Sequence, residues 1–157
     1  MLKNLLTLRI QSEHDVVLAR QRAGQLAALL GFGAQDQSRI ATALSEIARN
    51  AYEYAQGGTI LFRLNTTPAA LEIEVQDRGH GITDLHVVMG GGYRSQTGMG
   101  LGIIGARRLM DGFEITSGAE GTNVHLRKLL PPRVTVDNAL LARVTEGLTQ
   151  GGPQGVS

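Results

Sequence analysis

The sequence predicts an α+β fold, a two-layer α/β sandwich in which helices cover one face of a mixed β-sheet. Two helical patterns come first, two strand pairs follow, and a further helix lies between these pairs. The chain has 157 residues, of which 42% are hydrophobic, and this is enough for one domain with its own core. We therefore expect one domain over residues 1–130, followed by a C-terminal extension or linker, partly disordered, over residues 131–157.

Two helices are predicted in the first third of the chain. Residues 7–10 alternate like a strand, and Ser12 with Asp15 then gives the pattern of a capping box, which opens a helix to about Leu30. Asp36 is expected to cap the second helix, and the sequence Gln-Gly-Gly at 56–58 to end it. The apolar positions of that helix recur at spacings of four and three residues, and they are Ile40, Leu44, Ile47, Ala51 and Tyr54.

Strands and shorter helices fill the rest of the chain. Residues 59–64 and 71–75 read as a hairpin, and residues 113–116 and 122–126 as a second one. A glycine-rich loop and a helix over about 101–110 separate the two hairpins. After Pro131-Pro132 we expect a short helix over 136–148, and then a glycine-rich tail at 151–155 with the composition of a linker.

Composition excludes several classes of function. The formal net charge of +1 offers no broad basic surface for nucleic acid, and the absence of cysteine excludes disulfides and thiolate metal sites. No apolar run approaches the length of about 18 residues that spans a membrane, and residues 1–6 lack the features of a signal peptide. We expect a cytoplasmic protein with small-molecule or protein partners, no nucleic acid and no membrane insertion.

Three short segments carry side chains and glycines suited to a nucleotide. Glu46 and Asn50 lie one helical turn apart at the edge of the apolar stripe, so a carboxylate and a hard oxygen ligand share a face. Asp77 follows an apolar strand and precedes two glycines, where its carboxylate could accept from an amino group. Residues 98–102 place amides at a helix start, which suits phosphate. Taken singly, these segments also fit a solvated helix face, an Asx turn and a flexible loop.

The order and spacing of the three segments resemble the GHKL, or Bergerat-fold, ATPases, which include gyrase B, MutL, histidine kinases and anti-sigma serine kinases. The resemblance implies that Glu46 is a general base, that Asn50 is a Mg²⁺ ligand, and that Asp77 reads adenine. It also implies that ATP or ADP is the bound nucleotide. The further nucleotide-binding positions are Gly79, Gly81, Ile82, Thr97, Gly98, Met99, Gly100, Leu101, Gly102 and Thr122.

Within this superfamily the chain is most similar to the RsbT-like switch kinases. The similar segments are residues 15–20, 30–32, 40–50 and 108–111. Only the 16 residues 82–97 separate the second and third motifs, so the implied ATP lid is short, as in the serine kinases. The resemblance implies a serine/threonine kinase of partner-switching pathways that phosphorylates a STAS-domain protein. On release it could engage a phosphatase, and related kinases also form homodimers. The chain departs from the family at His80, where proline is usual.

Other functions stay open on the sequence alone. The main alternative is a nucleotide-gated interaction domain of a larger sensor kinase or phosphatase, in which ATP orders the lid and changes partner affinity without phosphorylation. A clamp ATPase like gyrase or MutL needs a longer lid and a transducer domain. Autophosphorylation of His14 is disfavoured, because only 31 residues separate it from Glu46, too few for a dimerising hairpin.

Overall fold

The computed structural model describes residues 2–79 and 99–150. The strands are β1 (Leu2–Ile10), β2 (Gly58–Thr66), β3 (Ala69–Gln76), β4 (Gly112–Gly118) and β5 (Gly121–Leu129). The helices are α1 (Glu13–Leu29), α2 (Ala34–Ala55), α3 (Met99–Leu109) and α4 (Asn138–Gln150). The predicted α+β class and the predicted order of elements are confirmed. Every predicted strand is longer in the structure, and α3 begins two residues earlier than the sequence suggested.

The sheet has the strand order β1-β2-β3-β5-β4, and all of its hydrogen-bonded pairs are antiparallel. The prediction of a mixed sheet is therefore wrong for the described strands. Since β5 is antiparallel to both of its neighbours, β3 and β4 run in the same direction, as expected across a helical connection. The returning strand β5 lies between them, so no two parallel strands are hydrogen-bonded.

One face of the sheet and the helices α1 and α2 enclose the apolar core. Ile60 and Phe62 of β2 and Ile73 of β3 are fully buried there, at alternate positions along their strands. The predicted stripe of α2 faces them: Ile40, Leu44, Ile47 and Ala51 are buried, and Tyr54 is half-buried. Residues next to this stripe therefore lie at the border between core and solvent, where the candidate site is expected.

The opposite face of the sheet is polar. Glu72 is only 4% exposed there, and its carboxylate pairs with Arg127 at 2.8 Å and with His125 at 2.6 Å. Burial raises the pKa of Glu74, but hydrogen bonds from Asn123 and Gln76 and the charge of Arg63 outweigh that effect and lower it overall. Glu74 is thus held as a carboxylate in the folded protein, and its stabilising effect is lost on acidification.

The start of α1 is a capping box, as predicted. The Ser12 side chain accepts from the backbone N–H of Asp15, and the Asp15 carboxylate accepts from the N–H of Ser12 in return. This reciprocal pair satisfies donors that a helix otherwise leaves without partners.

Replacement of Ser12 with alanine is expected to lower the free energy of unfolding by about 1 kcal/mol, because the capping acceptor is lost. Ser12→Asp should retain most of the stability. Ser38→Ala, at an exposed position inside α2, is the matched control and should be neutral or slightly stabilising. Urea unfolding of the three variants measures the effect, and an equal loss in Ser12→Ala and Ser38→Ala would contradict the capping role.

The start of α2 differs from the prediction. Gly33 occupies the N-cap position and makes no side-chain cap, so Asp36 lies in the first turn instead of capping the helix. Its carboxylate pairs with Arg39 at 2.9 Å on the same helix. The carboxylate still stabilises the helix start through the helix dipole. The sequence alone did not show whether Asp36 lies at the N-cap or in the first turn. The predicted end is confirmed, because Gln56 adopts a left-handed conformation with φ of 64°.

A buried lysine fixes the C-terminal end of α3. The ammonium group of Lys128 on β5 donates to the carbonyl of Leu109, the last residue of α3, at 3.0 Å. Lys128 is only 8% exposed and also lies 3.6 Å from the Asp36 carboxylate of α2. A cation at the carbonyl end of a helix is favourable on electrostatic grounds. Lys128 therefore links β5, α2 and α3, and thereby sets the position of α3.

The helix expected near the C-terminus is α4, and it packs against α1. Val144 and Leu148 are buried in this contact. Arg22 and Gln25 of α1 donate to the carbonyls of Leu148 and Gly147, and burial lowers the pKa of Arg22. The predicted linker at 151–155 lies outside the described residues. No helix in the described ranges has the length and apolar character that crossing a bilayer requires.

Candidate functional site

Helix α2 presents Glu46 and Asn50 at the border of the core, as predicted from their spacing. The Glu46 side chain is 34% exposed, and its Oε1 accepts from Nη1 of Arg49 at 2.9 Å. Asn50 lies one turn further along the helix and is half-buried. A carboxylate and an amide thus face the same side of α2.

The first turn of α3 lies against these two side chains. A Cβ atom built on Gly102 would be 3.1 Å from Oε2 of Glu46 and 3.8 Å from both amide atoms of Asn50. Asn50 and Gly102 are 52 positions apart in the sequence, yet the motifs that contain them are adjacent in space. Because the N–H groups at a helix start have no partner within the helix, this end of α3 can bind an anion held next to Asn50.

The Asn50 side chain carries a polar group suited to a polar ligand beside Gly102. Nδ2 of Asn50 is buried, and no group among the described residues forms a hydrogen bond with it. Leaving such a group unpaired costs about 1–3 kcal/mol, so a bound ligand that pairs with it would recover that free energy. Since the two amide orientations of asparagine are interchangeable, the same side chain can present either its oxygen to a metal ion or its nitrogen to a phosphate oxygen.

Replacing Gly102 with alanine is expected to impair the site without unfolding the protein. The added methyl group would contact a flexible carboxylate, which can move at little cost, but it would occupy the space beside Glu46 and Asn50. We expect ATP affinity to fall by about 10-fold, comparable with the loss of one charge-assisted hydrogen bond. Calorimetric titration with Mg-ATP measures the change. Gly105→Ala, where an added methyl meets nothing within 4 Å, is the control and should bind ATP normally.

Asp77 lies at the end of β3 and connects two other predicted positions. Its Oδ1 accepts from the backbone N–H of Gly79 at 3.0 Å and from that of Thr122 at 2.9 Å. Its own N–H donates to the carbonyl of Thr122. These bonds hold the turn after β3 against the start of β5, and Oδ2 of Asp77 has no part in them.

Glycine is required at position 121 for this arrangement. Gly121 has a φ of +134°, a conformation that other residues rarely adopt, and an added Cβ would overlap the carbonyl of Asp77. The next residue, Thr122, is 8% exposed, and its hydroxyl is hydrogen-bonded to that of Ser117 at 2.9 Å. The resemblance gave Thr122 as a nucleotide-binding position, and the structure brings Thr122 into direct contact with Asp77.

An open cleft of about 1000 Å³ lies at this end of the sheet. Asp77 and Thr122 form part of its wall, together with Ala55 at the end of α2. The cleft also extends to Arg9 and Asn123, whose strand positions place them on the polar face of the sheet. Glu46, Asn50 and Gly102 do not line it, so the cleft covers the Asp77 end of the candidate site only.

Not every predicted position is described. The predicted residues Gly81, Ile82, Thr97 and Gly98, and also His80, lie outside the described residues. Met99, Gly100 and Leu101 form the first turn of α3. Glu46, Asn50 and Gly102 are brought together, and so are Asp77, Gly79 and Thr122.

Two contacts of the site were missed from the sequence. Arg49 lies between Glu46 and Asn50 and was assigned no partner, but it pairs with Glu46. Acidic and basic side chains three residues apart on a helix commonly form such ion pairs. Ser117 contributes the hydroxyl that pairs with Thr122 across the second hairpin. Its register opposite Thr122 could have been found by aligning the two strands of that hairpin.

Several known proteins are similar to this chain in sequence. The histidine kinase-like ATPase domain family matches residues 11–128. The serine/threonine-protein kinase RsbT of Bacillus subtilis strain 168 is 44% identical over 125 residues, which cover 78% of this chain and 94% of RsbT. The anti-sigma F factor of Clostridium botulinum strain Eklund 17B is 29% identical over 127 residues, or 76% of this chain and 89% of that protein.

A solved structure shares the fold. The RsbU and RsbW domains of Rv1364c from Mycobacterium tuberculosis superpose with a TM-score of 0.59 at 22% identity, over 84% of this chain. The match spans 35% of that longer chain, so it bears on the fold alone. The family match covers most of the present sequence and includes the three motifs from which the site was predicted. The chain therefore belongs to the histidine kinase-like ATPase family.

Proposed function

We propose that this protein transfers the γ-phosphoryl group of Mg-ATP to a serine or threonine of a STAS-domain partner in a partner-switching pathway. One observation carries the proposal: Glu46 and Asn50 on one face of α2 lie against the first turn of α3 at Gly102. A carboxylate that can take a proton is thereby placed beside a helix start that can bind phosphate. This is the combination that phosphoryl transfer to a hydroxyl needs.

The enzyme class follows from the relatives. The chain is a serine/threonine protein kinase, as its 44% identity to RsbT over nearly the whole of that kinase supports. Nucleotide binding is the shared property of the ATPase family that matches residues 11–128. The identity of the partner and the need for Mg²⁺ belong to the proposal.

Each described residue of the site has a distinct role in the proposed reaction. Glu46 accepts the proton of the attacking hydroxyl through Oε2, because Oε1 is already paired with Arg49. The N–H groups of the first α3 turn orient the phosphates, and Oδ2 of Asp77 accepts from the adenine amino group. Asn50 would hold Mg²⁺, which neutralises phosphate charge when bound. Positioning supplies most of the rate enhancement in this type of reaction.

The partner class rests on the resemblance to the RsbT-like kinases. A STAS-domain protein is the proposed substrate, and a phosphatase that binds the released kinase is a second proposed partner. The chain can also be tested for homodimer formation, because related kinases form dimers.

Transfer of γ-labelled phosphate from Mg-ATP into proteins of a lysate from the source cells tests the proposal. We expect one discrete labelled protein whose labelled residue is serine or threonine. Phosphoamino-acid analysis and mass spectrometry identify the partner. If ATP binds but no protein is labelled, the kinase proposal fails, and a nucleotide-gated interaction domain becomes the better account.

A further inference from the structure

The Arg49 guanidinium is the only described group that contacts the Glu46 carboxylate through an ion pair. The two side chains are three residues apart on α2 and lie 2.9 Å from each other. The pair engages Oε1, while Oε2 faces the first turn of α3 beside Gly102. The ion pair therefore divides the carboxylate into one anchored oxygen and one oxygen that faces the candidate site.

We infer that Arg49 is a positioning residue that holds Glu46 in the orientation required to accept a proton. This inference rests on the proposed function, since it assigns Glu46 the role of base. The Glu46 side chain is 34% exposed and has three rotatable bonds, so without a partner it would sample several rotamers. A fixed orientation matters because a misplacement of about 1 Å can reduce an enzymatic rate by about 100-fold.

Arginine is suited to this role for a geometric reason. Its planar guanidinium offers several donors in a fixed arrangement, whereas the lysine ammonium is a flexible point charge. A lysine at position 49 could still reach a carboxylate one turn away, although it would restrict the orientation of that carboxylate less. Arg49→Lys should therefore recover part of the activity that Arg49→Gln loses.

The same helix provides a matched control. Arg39 pairs with Asp36 at the same distance of 2.9 Å and the same spacing of three residues, and both partners are exposed to a similar degree. Arg39 is not adjacent to the candidate site. If Arg49 acted only by stabilising α2, then Arg39→Gln and Arg49→Gln would have similar effects, because exposed pairs of this kind contribute alike to a helix.

The experiment compares four proteins: the wild type, Arg49→Gln, Arg49→Lys and Arg39→Gln. The kinetic readout is phosphate transfer to the protein labelled in the lysate experiment. For Arg49→Gln we expect kcat to fall by about 10- to 100-fold with the KM for ATP changed by less than about 3-fold, since orientation and not binding is lost. Arg49→Lys should be intermediate, and Arg39→Gln should match the wild type.

A second readout does not depend on activity. Side-chain J couplings measured by NMR report the rotamer populations of Glu46 in each protein. We expect one dominant rotamer in the wild type and in Arg39→Gln, and averaging over several rotamers in Arg49→Gln. Equal rotamer populations in the wild type and Arg49→Gln would overturn the inference, and so would an unchanged kcat. If the wild type transfers no phosphate, the proposed function fails, and the rotamer populations still decide whether Arg49 orients Glu46.

Discussion

Glu46→Ala is expected to reduce phosphate transfer by about 10²- to 10⁴-fold while ATP affinity stays close to that of the wild type. The reason is that, in the proposed reaction, the carboxylate acts on the proton of the attacking hydroxyl and does not hold the nucleotide. Its Oε2 is the oxygen that faces the first turn of α3 beside Gly102. Single-turnover transfer from labelled Mg-ATP and calorimetric ATP titration measure the two quantities separately.

Glu53→Ala is the control for this variant. Glu53 is an exposed carboxylate two turns further along α2. Its replacement removes the same charge from the helix as Glu46→Ala does, but at a position further from Gly102. We expect Glu53→Ala to transfer phosphate at the wild-type rate. Unchanged transfer in Glu46→Ala would show that Glu46 is not the base. A parallel loss of ATP affinity would show that it binds the nucleotide.

Asp77→Asn is expected to weaken ATP binding by about 10- to 100-fold, because the variant would lose the charge-assisted hydrogen bond proposed between Asp77 and adenine. Asparagine keeps an oxygen that can accept from Gly79 and Thr122, so the turn after β3 should retain its shape. Its amide nitrogen would then replace Oδ2 and would present a donor to the adenine amino group, which is also a donor.

Asp77→Ala distinguishes the structural role of this carboxylate, which accepts from two backbone N–H groups, from its proposed role in adenine recognition. Alanine removes the acceptor for both backbone N–H groups, so this variant should lose thermal stability as well as ATP affinity. Asp77→Asn should unfold close to the wild-type temperature in the absence of nucleotide. Full ATP affinity in Asp77→Asn would exclude adenine recognition by Asp77 and leave it a purely structural role.

Local patterns in the sequence predicted most of the fold. The capping box at Ser12, the apolar stripe of α2 and the end of that helix at Gln56 all depend on neighbouring residues, and all three are confirmed. One error was local, since Gly33 and not Asp36 is the N-cap of α2. The error in the sheet arose where distant parts of the chain decide the outcome. The strand beside β3 is β5, and a chain order alone does not tell which strand of a hairpin lies inside the sheet.

In the candidate site, too, local patterns were predicted from the sequence and long-range contacts were not. Periodicity on α2 was sufficient to place Glu46 and Asn50 together at the border of the core. The contact between Asp77 and Thr122 joins residues 45 positions apart. The sequence did not predict this contact, and only the resemblance to a known family gave both residues as nucleotide-binding positions. Asn50 and residues 98–102 were likewise assigned to one nucleotide site by that resemblance alone. Long-range pairings of this kind depend on how the whole sheet assembles, which no local pattern encodes.

The Asn50 amide, whose buried nitrogen has no partner among the described residues, connects the stability of the fold with its proposed ligand binding. A buried Nδ2 that has no partner, as is the case within residues 2–79 and 99–150, costs about 1–3 kcal/mol, whereas typical domains are stable by 5–15 kcal/mol. Packing alone would favour an apolar side chain at this position of α2. With the nucleotide bound at Asn50 as proposed, the same side chain that weakens the ligand-free fold would hold the ligand, so nucleotide binding would raise the resistance of the protein to unfolding.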